Sequence, residues 1–177
     1  MIIKQCEEKL AMAMQGLRDV KNVGGKLELV DELPKLFKEY KAAIKAEYIP
    51  EGYHPILIDG EIVPQYFINE IGDVWSQKRC RVLSPNLNKL YRCDQYFLTI
   101  GKKVKPYTVH YLVASTFIPN PEGCTKVMHI NGNRHDNSVK NLAWCEYDPE
   151  DEESMKAFYD LRKKLYKERF GKDKEEG

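Results

Sequence analysis

The chain has 177 residues, of which 42% are hydrophobic and 31% charged, and a formal net charge of +1. This suits one domain, or a small domain with an appendage, built on an apolar core. No apolar run approaches the roughly 20 residues of a membrane span, and "MIIKQCEEKL" carries acids and no signal-peptide core. The expectation is a soluble, cytoplasmic protein with no membrane partner.

The five cysteines, Cys6, Cys80, Cys93, Cys124 and Cys145, are scattered and form no C-x-x-C pair. That spacing argues against a disulfide framework and against a structural zinc knuckle, and for free thiols.

In chain order, Ile3, Cys6, Leu10, Ala13, Leu17 and Val20 recur three and four apart, the period of an amphipathic helix. "NVGGK" predicts a break at Gly24 and Gly25. Asp31 then caps a second helix, with Pro34 in its first turn and Leu33, Phe37, Tyr40 and Ile44 on one side. Residues 1–50 thus read as a helical hairpin, for packing or for a protein partner or self-association.

"IPEGYHP" is a linker, after which the period changes. "PILIDGEIVPQYFI" predicts a hairpin turning at Asp59-Gly60. "GDVWS", "CRVLSPNL" and "YFLTIGKKVKPYTV" continue as short strands, so 55–107 reads as a small antiparallel sheet.

From Lys78 to Lys105 the chain places Lys78, Arg79, Arg81, Lys89, Arg92, Lys102, Lys103 and Lys105 against Asp94 alone. Such a stretch suits phosphate contacts, and equally an ordinary solvated surface.

"TVHYLVASTFI" predicts a helix capped by Thr108, with Leu112, Val113, Thr116 and Phe117 in its period and Pro119 and Pro121 as its stop. "KVMHI" reads as a strand, "NGNRHDNSVKN" as a loop and "LAWCEY" as a second strand. A long helix follows, with Asp148 as N-cap and Pro149 at its first position. Met155, Phe158, Leu161 and Leu165 face inward, Gly171 ends the helix, and 172–177 is a charged tail.

The order strand, Asn-rich loop, strand, helix sets a histidine, His129, near a knot of acids running from Glu146 to Glu153. A neutral imidazole can take a proton from water, and oxygen ligands can hold a cation against a leaving oxygen.

"TVHYLVASTFIPNP" followed by "VMHINGNRHDNSVKNLAW" resembles the HNH endonucleases of bacteriophages, especially the homing type. "YFINEIGDVWSQKRCRVLSPNLN" is similar to the DNA-binding module that often precedes that domain. The resemblance covers Tyr66 to Tyr147, and residues 1–50 match no known pattern. Added to the helical hairpin read over residues 1–50, it implies an α+β chain: that hairpin, a small antiparallel β region over 55–107, and an HNH ββα-metal nuclease-like domain over 108–171 ending in a long helix. It implies a metal-dependent DNA endonuclease using Mg²⁺ or Mn²⁺ on double-stranded DNA, in the host cytoplasm if phage-encoded.

Residue by residue, the resemblance puts His129 in the place of the general base. Asn141 takes the Asn that ties the loop to the strands, and Asn133 and Asn137 match loop asparagines. His110 matches a helix histidine with a structural role, and Trp144 a core aromatic. Glu150 falls where the family has its last, metal-binding Asn, with Asp148 close by.

Two positions depart from the pattern. Met128 precedes the base where many members carry Asp or Asn, and a thioether is a poor ligand for Mg²⁺. Glu150 and Asp148 suit helix capping as well as metal binding. A second function therefore follows beside the nuclease: an inactive HNH-fold protein reused as a binding protein, or as an inhibitor or regulator of a host nucleic-acid machine.

Overall fold

The computed structural model describes residues 2–19 and 23–171, which form two units. The architecture is α+β, with helices first, antiparallel sheets next and a long helix last.

The first unit comprises 1–49 and the short segment Gln77–Cys80. α1 (Ile2–Asp19) packs against α2 (Val23–Glu47). Cys6, Leu10 and Ala13 are half-buried on α1, while Ile3, Leu17 and Val20 of the expected stripe lie outside the described side chains. On α2 the inward face is Leu33, Leu36, Tyr40 and Ala43, and the Tyr40 hydroxyl donates to Glu7 at 3.1 Å.

Three expectations are corrected here. Gly24 and Gly25 lie inside α2 rather than breaking the chain. Asp31 is not an N-cap, because α2 begins eight residues before it and runs through Pro34. A proline costs a helix about 3 kcal/mol, and the Leu- and Lys-rich turns on both sides carry the helix across it. Phe37 and Ile44 turn outward, 44% and 36% exposed, because a helix anchored on Leu33 and Tyr40 buries Leu36 and Ala43 beside them.

The second unit holds the rest. β1 (His54–Ile58) and β2 (Glu61–Ile68) form the expected hairpin, with Asp59 at φ 53° and Gly60 at φ 80°, both positive as a two-residue turn requires. β3 (Val74–Ser76) and β4 (Arg81–Val82) complete a four-stranded antiparallel sheet in the order β1-β2-β3-β4. β5 (Asn86–Asn88), β6 (Cys93–Ile100) and β7 (Lys103–Thr108) form a second, three-stranded sheet. One sheet was expected over this region and two are present. β4 is two residues long, and Pro85 follows with no N–H to extend the ladder.

α3 (Val109–Phe117) begins directly after Thr108, although the threonine side chain makes no cap bond. α3 lays Val109, Leu112 and Val113 on the core of Ile56, Ile68, Val74, Tyr96 and Leu98. The β1 register slips between Pro55 and Leu57. The backbone left off the ladder is taken up by the helix: Leu57 N donates to Thr116 Oγ1 at 3.2 Å, and Ser115 Oγ donates to Leu57 O at 2.6 Å. Gly72 has φ 97°, and a Cβ there would stand 2.6 Å from Val109 Cγ1 and 3.3 Å from the Asn137 Cβ.

β8 (Lys126–His129) and β9 (Leu142–Cys145) pair antiparallel, with a 3-10 turn at Val139–Asn141 leading into β9. Successive strand residues face opposite sides. Val127 therefore packs on the core of the two larger sheets, while Met128 joins Ile130, Ala143 and Cys145 beneath α4 (Glu152–Phe170).

α4 contains no fully buried residue. Phe158, Leu165, Tyr166 and Phe170 cover the second cluster. Leu161, expected inward, is 39% exposed, and its neighbour Arg162 turns in and donates Nε to the Ile130 carbonyl at 3.1 Å. Arg169 Nη1 donates to the carbonyls of Val139, Lys140 and Leu142 at 3.3, 3.2 and 2.8 Å. The helix starts later than expected. Its N-cap is Asp151, whose carboxylate accepts from Ser154 N at 3.0 Å. Asp148 sits in the turn ahead, accepting from Glu150 N. Gly171 ends the helix at φ 71°; residues 172–177, the expected tail, lie outside the described residues.

Candidate functional site

His129 closes β8 beside an open cleft of about 610 Å³. Its Nε2 lies 3.1 Å from Asn137 Oδ1. Asn137 is 5% exposed, and its Nδ2 faces the His135 carbonyl at 3.5 Å. An amide oxygen only accepts, so Nε2 carries the ring proton and Nδ1 keeps its lone pair. Burial pushes the imidazole below its ordinary value. The Asn137 bond pulls the other way, and the Arg134 charge adds to the downward push. His129 is therefore neutral at pH 7 and able to accept a proton.

Asn141, fully buried, staples the loop at both ends. Its Oδ1 accepts from Asn131 N at 2.8 Å and its Nδ2 donates to the Asp136 carbonyl at 2.7 Å. Its own carbonyl accepts from Ile130 N at 2.8 Å. Asn133 is exposed and bonds within the loop, its Oδ1 accepting from His135 N. Burial raises the Asp136 carboxyl, but bonds from the Ser138 hydroxyl and amide and from Asn131 outweigh it and hold the group below its usual range. The loop has little apolar packing, so these short Asx bonds give it shape.

His110 stands edge-on to His129, with ring centroids 5.1 Å apart. Its Nε2 is 3.1 Å from Thr108 Oγ1, while its buried Nδ1 has no partner. Burial, helped by His129 and Arg134, pushes its pKa down to about 4. Trp144 was expected in the core; it is half-buried, donating Nε1 to the Ile118 carbonyl at 2.9 Å and meeting the Tyr111 ring edge-on.

The remaining sequence candidates do not line the cleft. Asp148 and Glu150 occupy the exposed turn before α4, and neither lines it. The acidic knot has structural work of its own. Glu146 accepts from the Thr125 amide and hydroxyl, Asp151 caps α4, and Glu152 and Glu153 fill its first turn.

The eight basic candidates are all exposed and none lines the cleft. Lys78 and Arg79 lie in the Gln77–Cys80 segment of the first unit. Arg81 is on β4, Lys89 and Arg92 are in the β5–β6 turn, Lys102 is in the β6–β7 turn, and Lys103 and Lys105 are on the edge strand β7.

The cleft's cations are instead Arg134, from the loop, and Arg162, from α4. Arg134 donates to the Tyr91 carbonyl at 3.1 Å. Tyr91 and Cys93 line the cleft from the β5–β6 hairpin, and Met128, Tyr147, Met155, Phe158 and Tyr159 complete it. Arg162 falls on the helix-period stripe of Met155, Phe158 and Leu165 and was legible there. Tyr91 and Cys93 arrive by docking of a hairpin, which no local period encodes.

These donors do not fit Mg²⁺ or Mn²⁺. Hard cations take carboxylate, carbonyl and water oxygens in an octahedron, whereas the side chains lining the cleft offer imidazole, phenol, hydroxyl, thiol, thioether and guanidinium and no carboxylate. Met128, at the position before the histidine, is 3% exposed within an apolar cluster. No group of three or more His, Cys, Asp or Glu side chains among the described residues could hold a metal ion.

Two curated relatives come from Acanthamoeba polyphaga mimivirus, both described as uncharacterized HNH endonucleases. One is 41% identical over 86 residues, covering 46% of this chain and 21% of the relative. The other is 34% identical over 83 residues, covering 45% and 24%. The chain resembles HNH endonucleases. It spans about a fifth to a quarter of those relatives' length. A solved structure of the HNH homing endonuclease I-HmuI, described for DNA binding and cleavage, aligns with a TM-score of 0.49 at 25% identity, over 64% of this chain and 59% of that one. No protein-family model matches the HNH-like chain.

Proposed function

We propose that this chain is a DNA endonuclease of the HNH type, with His129 as general base. The observation that carries the reading is the Asn137 bond, which leaves Nδ1 of a neutral imidazole free to take a proton beside an open, Arg-bearing cleft. On this reading duplex DNA is the substrate. Nδ1 takes a proton from water, the hydroxide adds to phosphorus, and the bond to the leaving sugar oxygen breaks as that oxygen takes a proton from solvent. Arg134 and Arg162 offset phosphate charge. Lys89, Arg92, Lys102, Lys103 and Lys105, with Arg81, Lys78 and Arg79, bear on the backbone, where such contacts position the duplex without specifying sequence. HNH nucleases generally use a divalent cation. The donors lining this cleft do not make such a site, so no step here runs through one.

Met128 favours a second reading, in which the site no longer cuts and the HNH fold serves binding. Plasmid cleavage separates the two. Supercoiled DNA is incubated with wild type and with His129→Ala, in EDTA, Mg²⁺ or Mn²⁺. Conversion to nicked or linear DNA by wild type alone is the expected result, and cleavage surviving in His129→Ala would remove the base assignment. No conversion in any buffer, with a melting temperature flat across millimolar Mg²⁺ and Mn²⁺, would give the second reading.

A further inference from the structure

The β5–β6 turn, Lys89–Arg92, is built unlike an ordinary surface turn. Exposed turns favour Gly, Asn, Asp and Ser. This one holds out Leu90 at 80% exposure and Tyr91 at 63%. It is also held in shape. Asn88 Oδ1 accepts from Leu90 N at 3.1 Å and Tyr91 N at 3.2 Å, and Arg134 holds the Tyr91 carbonyl. Arg92 takes φ 49°, the left-handed region that a bulky side chain rarely adopts. Strain of that kind is retained where surrounding structure enforces it, commonly at functional positions.

Leu90 and Tyr91 make a contiguous exposed pair, with Leu90 the most exposed large hydrophobic side chain among the described residues. The flanking Lys89 and Arg92 say what covers it, since both are exposed cations suited to a polyanion. The turn also adjoins the candidate site, because Tyr91 lines the same cleft as His129.

We propose that Leu90 and Tyr91 form a wedge that enters duplex DNA at a base step beside the phosphate facing His129, with Lys89 and Arg92 on the flanking phosphates. The inference rests on the DNA reading above. Apolar side chains inserted at a step unstack it and kink the helix, and an aromatic ring stacks on any base. The turn is preorganised, so little ordering cost falls on binding.

The test needs no knowledge of a target sequence. Plasmid is relaxed by a metal-independent topoisomerase I in EDTA with bound protein, then stripped and run as topoisomers, while gel shift on duplex DNA reports affinity. Wild type shifts the linking-number distribution relative to protein-free plasmid. Leu90→Ala/Tyr91→Ala loses the shift while holding affinity within about tenfold at low salt, because the phosphate contacts remain. Tyr91→Phe, which keeps the ring, keeps the shift. An unchanged shift in the double alanine variant overturns the wedge, as does a wild type that binds DNA and leaves the topoisomers where they were. A wild type that does not bind DNA overturns the DNA reading itself.

Discussion

Asn137 decides which nitrogen of His129 can work. Because its amide oxygen accepts from Nε2, the base is Nδ1. Asn137→Asp puts a carboxylate in the same place, raising the imidazole pKa. The sign follows from the need for neutral His129. In wild type the acid limb of the cleavage rate has its midpoint below 6.5, since burial lowers the pKa from that value. In Asn137→Asp the limb moves to higher pH, and a pH–rate profile reads the displacement. His110 makes the companion prediction for stability. Its folded pKa of about 4 lies below the ordinary 6.5, so the unfolded chain binds more protons between those values. Stability is full above 6.5 and falls toward pH 4 by about 3 kcal/mol. Urea unfolding at pH 7.5, 5.5 and 4.5 should show that loss, reduced in His110→Phe.

The elements show what local chemistry can specify. The Asp59-Gly60 hairpin and α3 carry signals complete within a few residues, a two-residue positive-φ turn and a 3.6-residue period closed by prolines, and both stand where the sequence places them. The start of α4 was less legible, since Asp148 and Asp151 are equivalent as caps on paper. The turn bond from Asp148 to Glu150 N leaves Asp151 at the helix mouth. Asp151→Ala should cost about 1 kcal/mol in chemical denaturation, and Asp148→Ala clearly less. The inward face of α2 was half misread for a different reason. Leu33 and Tyr40 face inward as expected, but Phe37 and Ile44, which continue the same spacing, are exposed. Periodicity identifies a face and not what lies against it. His129, Asn137 and Asn141 meet because a short loop joins two paired strands, which the sequence spacing contains. Tyr91, Cys93 and Arg134 meet through long-range docking of the β5–β6 hairpin, which it does not.

At the scale of the second unit, Gly72 links the first sheet to the histidine. Its missing side chain leaves room for Val109 at the head of α3 and for Asn137, and its carbonyl accepts from the buried Tyr96 hydroxyl at 3.3 Å. Gly72→Ala must displace Val109 at a positive φ that alanine also resists, so a loss of several kcal/mol in unfolding free energy is expected. In molecules that still fold, the displaced α3 moves Asn137 and cleavage falls with it; cleavage at the wild-type rate would mean the loop is insulated from the sheet. Six of the eight basic residues are spread over β4, the turns and edge strand β7 of the second unit. If the duplex is gripped as proposed, it follows a path wider than the cleft.

Arg169 gives the last turn of α4 a hold on the histidine loop. One guanidinium nitrogen collects the carbonyls of Val139, Lys140 and Leu142, the residues immediately around Asn141. A premature stop codon that spares every residue lining the cleft, but falls ahead of position 169, strips that hold. The Val139 carbonyl keeps its bond from Leu142 N, while the Lys140 and Leu142 carbonyls lose this donor. In a gene of this kind the last codons of α4 are not expendable sequence, and a nonsense allele there would behave as a lesion of the histidine loop rather than as a shortened helix.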